Sequence, residues 1–261
     1  LTVGYNSYIN RMDSKFRFLV SDRVGANAVS FNTNNPDATL ASEITNGKFT
    51  YREGTNSTYK AKLLEYLNAG YADVAFKFND VYEMNFGVRV EQSLRLTKYR
   101  NPGSFNDPYQ KKSVEDLDIL PSLNMKYKFN DASNFRLAAS KTITRPVIME
   151  SYPLEFVNLD GTIENGNPNV VNSDNYNFDL KYEFFPTAKE LLAVTTFSKL
   201  IQNPIERLFT QSAGSGGQII TYDNSNKALL VGAELELLLQ LDRISDNFKN
   251  LSLGFNTSLM Y

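Results

Sequence analysis

The chain has 261 residues, 27 Lys and Arg against 29 Asp and Glu (formal net charge -2), and neither Cys nor His. That composition removes disulfides, thiol and imidazole catalysis and the commonest metal ligands, and without a basic excess it argues against a nucleic-acid partner. No run approaches the roughly 18 apolar residues of a membrane-crossing helix, yet 42% hydrophobic and 13% aromatic residues are too many for a disordered chain.

Period two dominates from the start. Leu1-Thr2-Val3-Gly4-Tyr5 opens a strand predicted over 1–20. A polar stretch, 21–60, follows and carries Phe31, Phe49 and Tyr51 among Asn and Thr. Strands are predicted at 64–78 and 81–98 across Asn79-Asp80, then at 115–129 and 134–148 across Asn130-Asp131-Ala132. The pairs 173–185 and 190–202, across Pro186-Thr187-Ala188, and 227–241 and 250–261, across 242–249, complete the set. Between these hairpins lie long connectors rich in Asn, Gly, Ser, Thr and Pro: 99–114, 149–172 and 203–226, the last holding Phe209 and Tyr222. Because the alternation is already under way at residue 1 and still running at 261, the chain is expected to be part of a larger sheet.

The sorting of side chains is strict. In 227–241 the odd positions are Leu229, Val231, Ala233, Leu235, Leu237, Leu239 and Leu241, while Glu234, Glu236 and Gln240 are even. A helix would set Glu234 and Glu236 about 200° apart; a strand puts them on one face. The stretches 117–129 and 176–184 repeat the pattern. Long and short connectors alternate without exception, which a soluble meander has no reason to maintain. An outer-membrane barrel has short periplasmic turns, longer outer loops and strands apolar on one face. Aromatics beside the short turns (Phe76, Phe78, Tyr82, Tyr127, Phe129, Phe135, Tyr182, Phe184) suit an interfacial girdle.

The expected fold is therefore all-β, an antiparallel up-and-down transmembrane β-barrel segment of about nine strands. A sandwich or lipocalin-like barrel alternates too; there the apolar face is covered by a second layer instead of lipid. Parity predicts that Leu123, Met125, Phe178, Leu180, Leu235, Leu237 and Leu239 meet lipid. It places Arg89, Glu91, Asn124, Lys126, Asp179, Lys181, Glu234 and Glu236 in a wet lumen. Two positions resist: strand 190–202 offers either Leu192, Val194 and Leu200 or Leu191, Ala193 and Phe197 as its apolar face. Lys141 shares the parity of Phe135 and Leu137, so it is expected above the membrane or after a bulge.

Catalytic constellations are not found, and no metal or cofactor is expected. Glu234 and Glu236, about 7 Å apart at strand rise, could suit glycoside chemistry, but neighbouring Lys and Arg favour an ion-pair ladder. The Gly-rich run 213–217 lacks the Gly-Lys-Ser/Thr of a phosphate loop, and Asp223-Asn224-Ser225-Asn226 lacks the Gly and closing Glu of a calcium loop.

Several segments, in order over 59–241, resemble TonB-dependent outer-membrane receptors, especially the Bacteroidetes type. Gly87-Val88-Arg89-Val90-Glu91 is similar to their Gly-x-Arg-x-Glu strand, and Leu120-Pro121-Ser122-Leu123-Asn124 to Leu-Pro-Ser-Leu-Asn. Thr142-Ile143-Thr144-Arg145-Pro146 resembles the Thr-Arg-Pro motif one hairpin later. Gly166-Asn167-Pro168, the strand 177–183 and Gly232-Ala233-Glu234-Leu235-Glu236 resemble the Gly-Asn-Pro loop, Asn-x-Asp-Leu-x-x-Glu and Gly-x-Glu-x-Glu.

The resemblance implies that 1–261 is a partial barrel domain of a twenty-two-stranded barrel, its plug and C-terminal strands lying outside the chain. It implies a bacterial outer-membrane location, and active uptake of a scarce ligand (siderophore, glycan, peptide or similar) without enzymatic activity. Implied partners are outer-membrane lipid, the receptor's own plug, the TonB complex through regions absent here, and a surface lipoprotein. The alternative is a non-transport all-β binding or structural module, or a porin-like barrel. Ligand contact is expected in the long outer loops, first at Phe31, Phe49 and Tyr51, then at Phe209 and Tyr222. The substrate itself is not legible.

Overall fold

The computed structural model describes every residue except 16–18, 26–33, 54–59, 101–107, 154, 159–161 and 212–217. In chain order the strands and helices are β1 (Thr2–Lys15), β2 (Leu19–Arg23), α1 (Pro36–Thr45), β3 (Phe49–Glu53), β4 (Lys60–Phe78), β5 (Tyr82–Tyr99), β6 (Gln110–Asn130) and β7 (Ser133–Thr144). Then come α2 (Ile148–Ser151), β8 (Glu155–Val157), β9 (Ile163–Asn165), β10 (Ser173–Phe184), β11 (Leu191–Gln202), β12 (Ile205–Gln211), β13 (Gln218–Asn224), β14 (Lys227–Gln240) and β15 (Ser252–Met260).

Nine of these strands form one sheet in the order β1-β4-β5-β6-β7-β10-β11-β14-β15. All neighbours are antiparallel and the sheet is an uninterrupted meander with β1 and β15 as its edges. They are the nine strands expected from alternation. Between β4 and β5 the chain reverses through Asn79 (φ 48°) and Asp80 (φ 54°), left-handed conformations that Asn and Asp tolerate better than most residues. The β6–β7 ladder stops at Ser122↔Ser140, next to Pro121, which has no N–H to extend it.

Apart from one register shift between Lys128 and Asn130 beside the β6–β7 turn, pairing carries side-chain parity across the sheet. Lys77, Glu83, Lys126, Arg136, Lys181, Thr195, Glu234 and Ser258 are successive cross-strand partners and form one polar row. The adjacent row on the opposite face reads Phe78, Tyr82, Tyr127, Phe135, Tyr182, Val194, Leu235 and Thr257. Its aromatics are in contact: Tyr82 stacks on Tyr127 at 4.8 Å, Phe129 bridges Tyr127 and Phe135 edge-on, and Phe135 reaches Tyr182 at 4.9 Å. The ambiguous strand is resolved by its neighbours. Leu192, Val194 and Leu200 oppose Leu237, Leu235 and Leu229 on the apolar face, which leaves Phe197 on the polar side, over Gly232.

No second layer covers the apolar face among the described residues: Phe86, Phe178 and Phe255 there are about half exposed and Leu117 is 70% exposed. A soluble sandwich would bury them. A hydrophobic cluster lies on the polar face at the loop end, where Tyr152 packs on Ala61 and Leu63 with Met12, Tyr99, Ile148 and Phe156 around them.

The long connectors carry secondary structure of their own. The first contains the β2–β3 hairpin and α1, whose start is written locally: Asn35 accepts from Ala38 N at 3.2 Å and Pro36 occupies the first turn. The connectors after β7 and β11 jointly build a four-stranded sheet, β12-β13-β9-β8, in which β13 and β9 run parallel. Lys141 does keep apolar parity, because the register through β7 and β10 is unbroken. Its ammonium sits 3.0 Å from Asp174 and over the Tyr176 ring near the loop end, so a bulge is not the explanation.

Candidate functional site

The polar face divides into two parts. Toward the short turns it is a shallow trough of about 630 Å³ running from Ala75 on β4 to Thr195 on β11. Lys77, Lys126, Arg136 and Lys181 line it together with Glu83 and Asp179, so cations outnumber anions. The charges are knitted across strands by Lys77–Glu83 (3.6 Å), Arg136–Glu183 (2.7 Å) and Lys181–Glu236 (3.4 Å), and along β10 by Lys181–Glu183 (3.6 Å). Glu236 is therefore a rung in a ladder. Glu234 lies between Thr195 and Ser258 and has no ion pair among the described residues.

Toward the loop end, residues from separate motifs converge. Glu91 and Asp118 are cross-strand partners. Arg145, just past β7, contacts Glu91 at 2.6 Å and Asp118 at 3.5 Å, and Arg89 Nε donates to Glu91 at 2.5 Å. Two arginines thus meet two carboxylates, and the cluster is neutral overall. Pro146 is buried and turns the chain into α2, where Glu150 accepts from Val147 N at 2.8 Å.

The connector then crosses back over the sheet. The Tyr152 hydroxyl donates to the carbonyl of Ala61, three strands away on β4. Arg95 of β5, nearly buried, donates to the carbonyl of Val170, and Asn172 donates to Asp116 of β6 at 3.0 Å.

Gly166-Asn167-Pro168 is the hinge of this inward strap. A Cβ on Gly166 would lie 2.5–2.7 Å from backbone atoms of Met149 and Tyr152, so only glycine lets the strap close on α2. Asn167 N donates to Glu150 O at 2.7 Å, and its side-chain amide donates to Tyr222 O at 2.9 Å. Asn224 repeats the device: it accepts from Val171 N (2.8 Å) and donates to Val171 O (3.1 Å) and Asn203 O (2.7 Å). The Asp223-Asn224-Ser225 oxygens are thus engaged in loop structure; Ser225 donates to Glu206 at 2.7 Å.

The expected contact residues fall on two different sheets. Phe31 and the 213–217 run lie outside the described residues. Phe49 is half-buried on β3 opposite Arg23, and Tyr51 pairs with Ser21. Phe209 is 60% exposed on β12, with the Arg207 guanidinium 5.3 Å from its ring centre. Tyr222 is buried on β13 and its hydroxyl donates to Glu164. Burial, then the hydrogen bond to that carboxylate, push the Tyr222 phenol up to about 12.

Sequence reasoning did not single out Tyr152, Glu164, Arg95, Asp116 or Asn172, and it weighed Asn224 only as an oxygen donor of a calcium loop. For Arg95 and Asp116 a signal existed, since both share the parity of Arg89 and Asp118. A further site it missed lies among the short turns. Glu190, buried beside β11, accepts from Gln240 N (3.2 Å), Thr187 Oγ1 (3.1 Å) and Arg243 (2.7 Å), tying two turns together. Burial alone would raise the Glu190 carboxyl; these donors outweigh it and hold it below the ordinary carboxylate value.

The sequence profile described as the outer membrane protein beta-barrel family matches residues 6–261. Among solved structures, the siderophore receptor PirA of Pseudomonas aeruginosa superimposes with a TM-score of 0.52 at 18% identity, over 82% of this chain and 45% of that one. The hemophore receptor HasR of Serratia marcescens, solved with its hemophore HasA and heme, gives 0.55 at 10% identity, over 90% of this chain and 38% of that one. The chain thus spans less than half the length of either receptor. No protein of curated function matches the sequence.

Proposed function

The chain belongs to the outer membrane protein beta-barrel family, and from that premise we propose that it is the barrel portion of a TonB-dependent receptor that takes up a scarce ligand across the bacterial outer membrane. One observation carries the reading: all short turns stand at one end of the meander, while at the other end two long connectors fold into one body and one of them lies across the polar face. A porin needs an open water path; a receptor needs a surface that recognises and a lumen that stays closed. In this reading the apolar face meets lipid. Arg89, Glu91, Lys126, Asp179, Lys181, Glu234 and Glu236 face the lumen, where the cation-rich trough receives the plug. The partners are that plug and, through it, the TonB complex. A surface lipoprotein would approach from the loop end, where Phe209 is the exposed candidate for contact.

Conductance of the complete protein in a planar bilayer tests the reading. A receptor passes no steady current until the plug is unfolded by urea, and then opens reversibly. A steady ohmic current before urea would favour the porin-like alternative and overturn the proposal. Deleting 30–48 in the complete receptor tests loop contact: unchanged uptake and affinity at normal surface expression would remove that loop from recognition.

A further inference from the structure

Three lysines stand in register on the apolar face at its loop-end margin. Lys62 on β4 is the cross-strand partner of Lys98 on β5, and Lys98 is the partner of Lys111 on β6. All three are exposed. Like charges set directly opposite each other destabilise a sheet, so such a row calls for an anionic counterpart. Among the described residues only Lys62 has one, Asp13 at 3.4 Å. No carboxylate among the described residues comes within 4.0 Å of the Lys98 or Lys111 ammonium. Tyr109 lies beside the row, with Lys98 5.2 Å and Arg100 4.3 Å from its ring centre.

The height of the row identifies the counterpart. On β4 and β5 the lysines come one pleat beyond the last apolar residues of that face, Leu64 and Leu96. Tyr82, in the aromatic row at the turn end, and Lys98 bracket β5. At ~3.4 Å per residue and a tilt of about 40–45° they stand roughly 40 Å apart along the membrane normal, the thickness of a bilayer with its headgroups. With the aromatic row at one interface, the lysines reach the headgroup layer of the other.

We propose that Lys62, Lys98 and Lys111 form a binding site for the phosphate groups of outer-leaflet lipid, with Tyr109 and Arg100 flanking it. The site rests on the apolar face meeting lipid. It is distinct from the lumen and from ligand uptake.

The test is native mass spectrometry of the complete receptor in nonionic detergent, titrated with diphosphorylated lipid A. The wild type should retain the lipid, and Lys62→Gln/Lys98→Gln/Lys111→Gln should lose affinity by roughly 100-fold, at about 1 kcal/mol per lysine. The triple Lys→Arg variant should retain it, which separates loss of charge from loss of fold. Millimolar inorganic phosphate should not displace it. Equal retention by the triple Gln variant, equal retention of dephosphorylated lipid A, or displacement by inorganic phosphate would each overturn the site. A nitroxide carried on Leu96→Cys in vesicles reports the facing separately. If it is water-exposed, the orientation fails and the site with it; if it lies in lipid while lipid A binding is unchanged, the lysine site alone fails.

Discussion

The two halves of the sheet are built on different principles. At the turn end most side chains are placed by parity, with aromatics in a row on one face and an ion-pair ladder on the other, and buried Glu190 ties two of the turns together. At the loop end, buried hubs do the placing. Arg145 joins two strands, Tyr152 reaches β4 from the connector after β7, and Asn167 and Asn224 stitch that connector to the next one. The turn end repeats, so any rung resembles its neighbours. The loop end is assembled from single contacts that each occur once, as a recognition surface on a rigid frame requires.

The largest effect should come from breaking parity. Phe178→Arg puts a charge two pleats from the aromatic row, near the middle of the apolar face, and should cost about 2–4 kcal/mol, read as loss of the heat-modifiable folded form. Glu236→Leu should fold nearly as well as the wild type; the opposite ranking would invert the facing.

Next comes the strap. Gly166→Ala forces a methyl group into the backbone of α2 and should cost about 1–3 kcal/mol. Amide exchange should rise over 147–172 and stay unchanged in β10 and β11. Equal exchange in both regions would show that the hub does not hold the strap.

Tyr222→Phe removes one hydrogen bond to a carboxylate and should loosen β13 against β9 by about 1–2 kcal/mol. The phenol sits above its ordinary value, so the stabilisation is complete below pH 10 and fades as pH rises toward about 12. The Phe variant should lack that alkaline transition in exchange at 163–165 and 218–224.

The smallest effect should be at the turns. The Glu190 carboxyl is held below its ordinary value of 4.5, so its contribution is present above that pH and is lost as pH falls through the folded-state value. Acid should raise exchange at 185–190 and 241–251 in the wild type. In Glu190→Gln exchange there should already be high at neutral pH.

The strand count, the meander, the two faces of each strand and the aromatic row were all legible in the chain, because alternation has a period of exactly two and needs no partner to be read. The motif residues were legible as motifs: Arg89, Glu91 and Arg145 stood out before anything placed them in one cluster. The connectors were legible only locally. The Asn35-Pro36 start of α1 is a capping signal that lies within four residues, but a parallel pairing of Ile219 with Ile163 leaves no mark in either segment. Phe197 shows the same limit within a strand, since two apolar parities competed and only the register against β14 decided between them. What the sequence determined by itself was whatever repeats along a strand or closes within a turn. What the tertiary structure decided was which distant residues meet, because a hub such as Asn167 spends its hydrogen bonds on backbone groups, and every residue offers those alike.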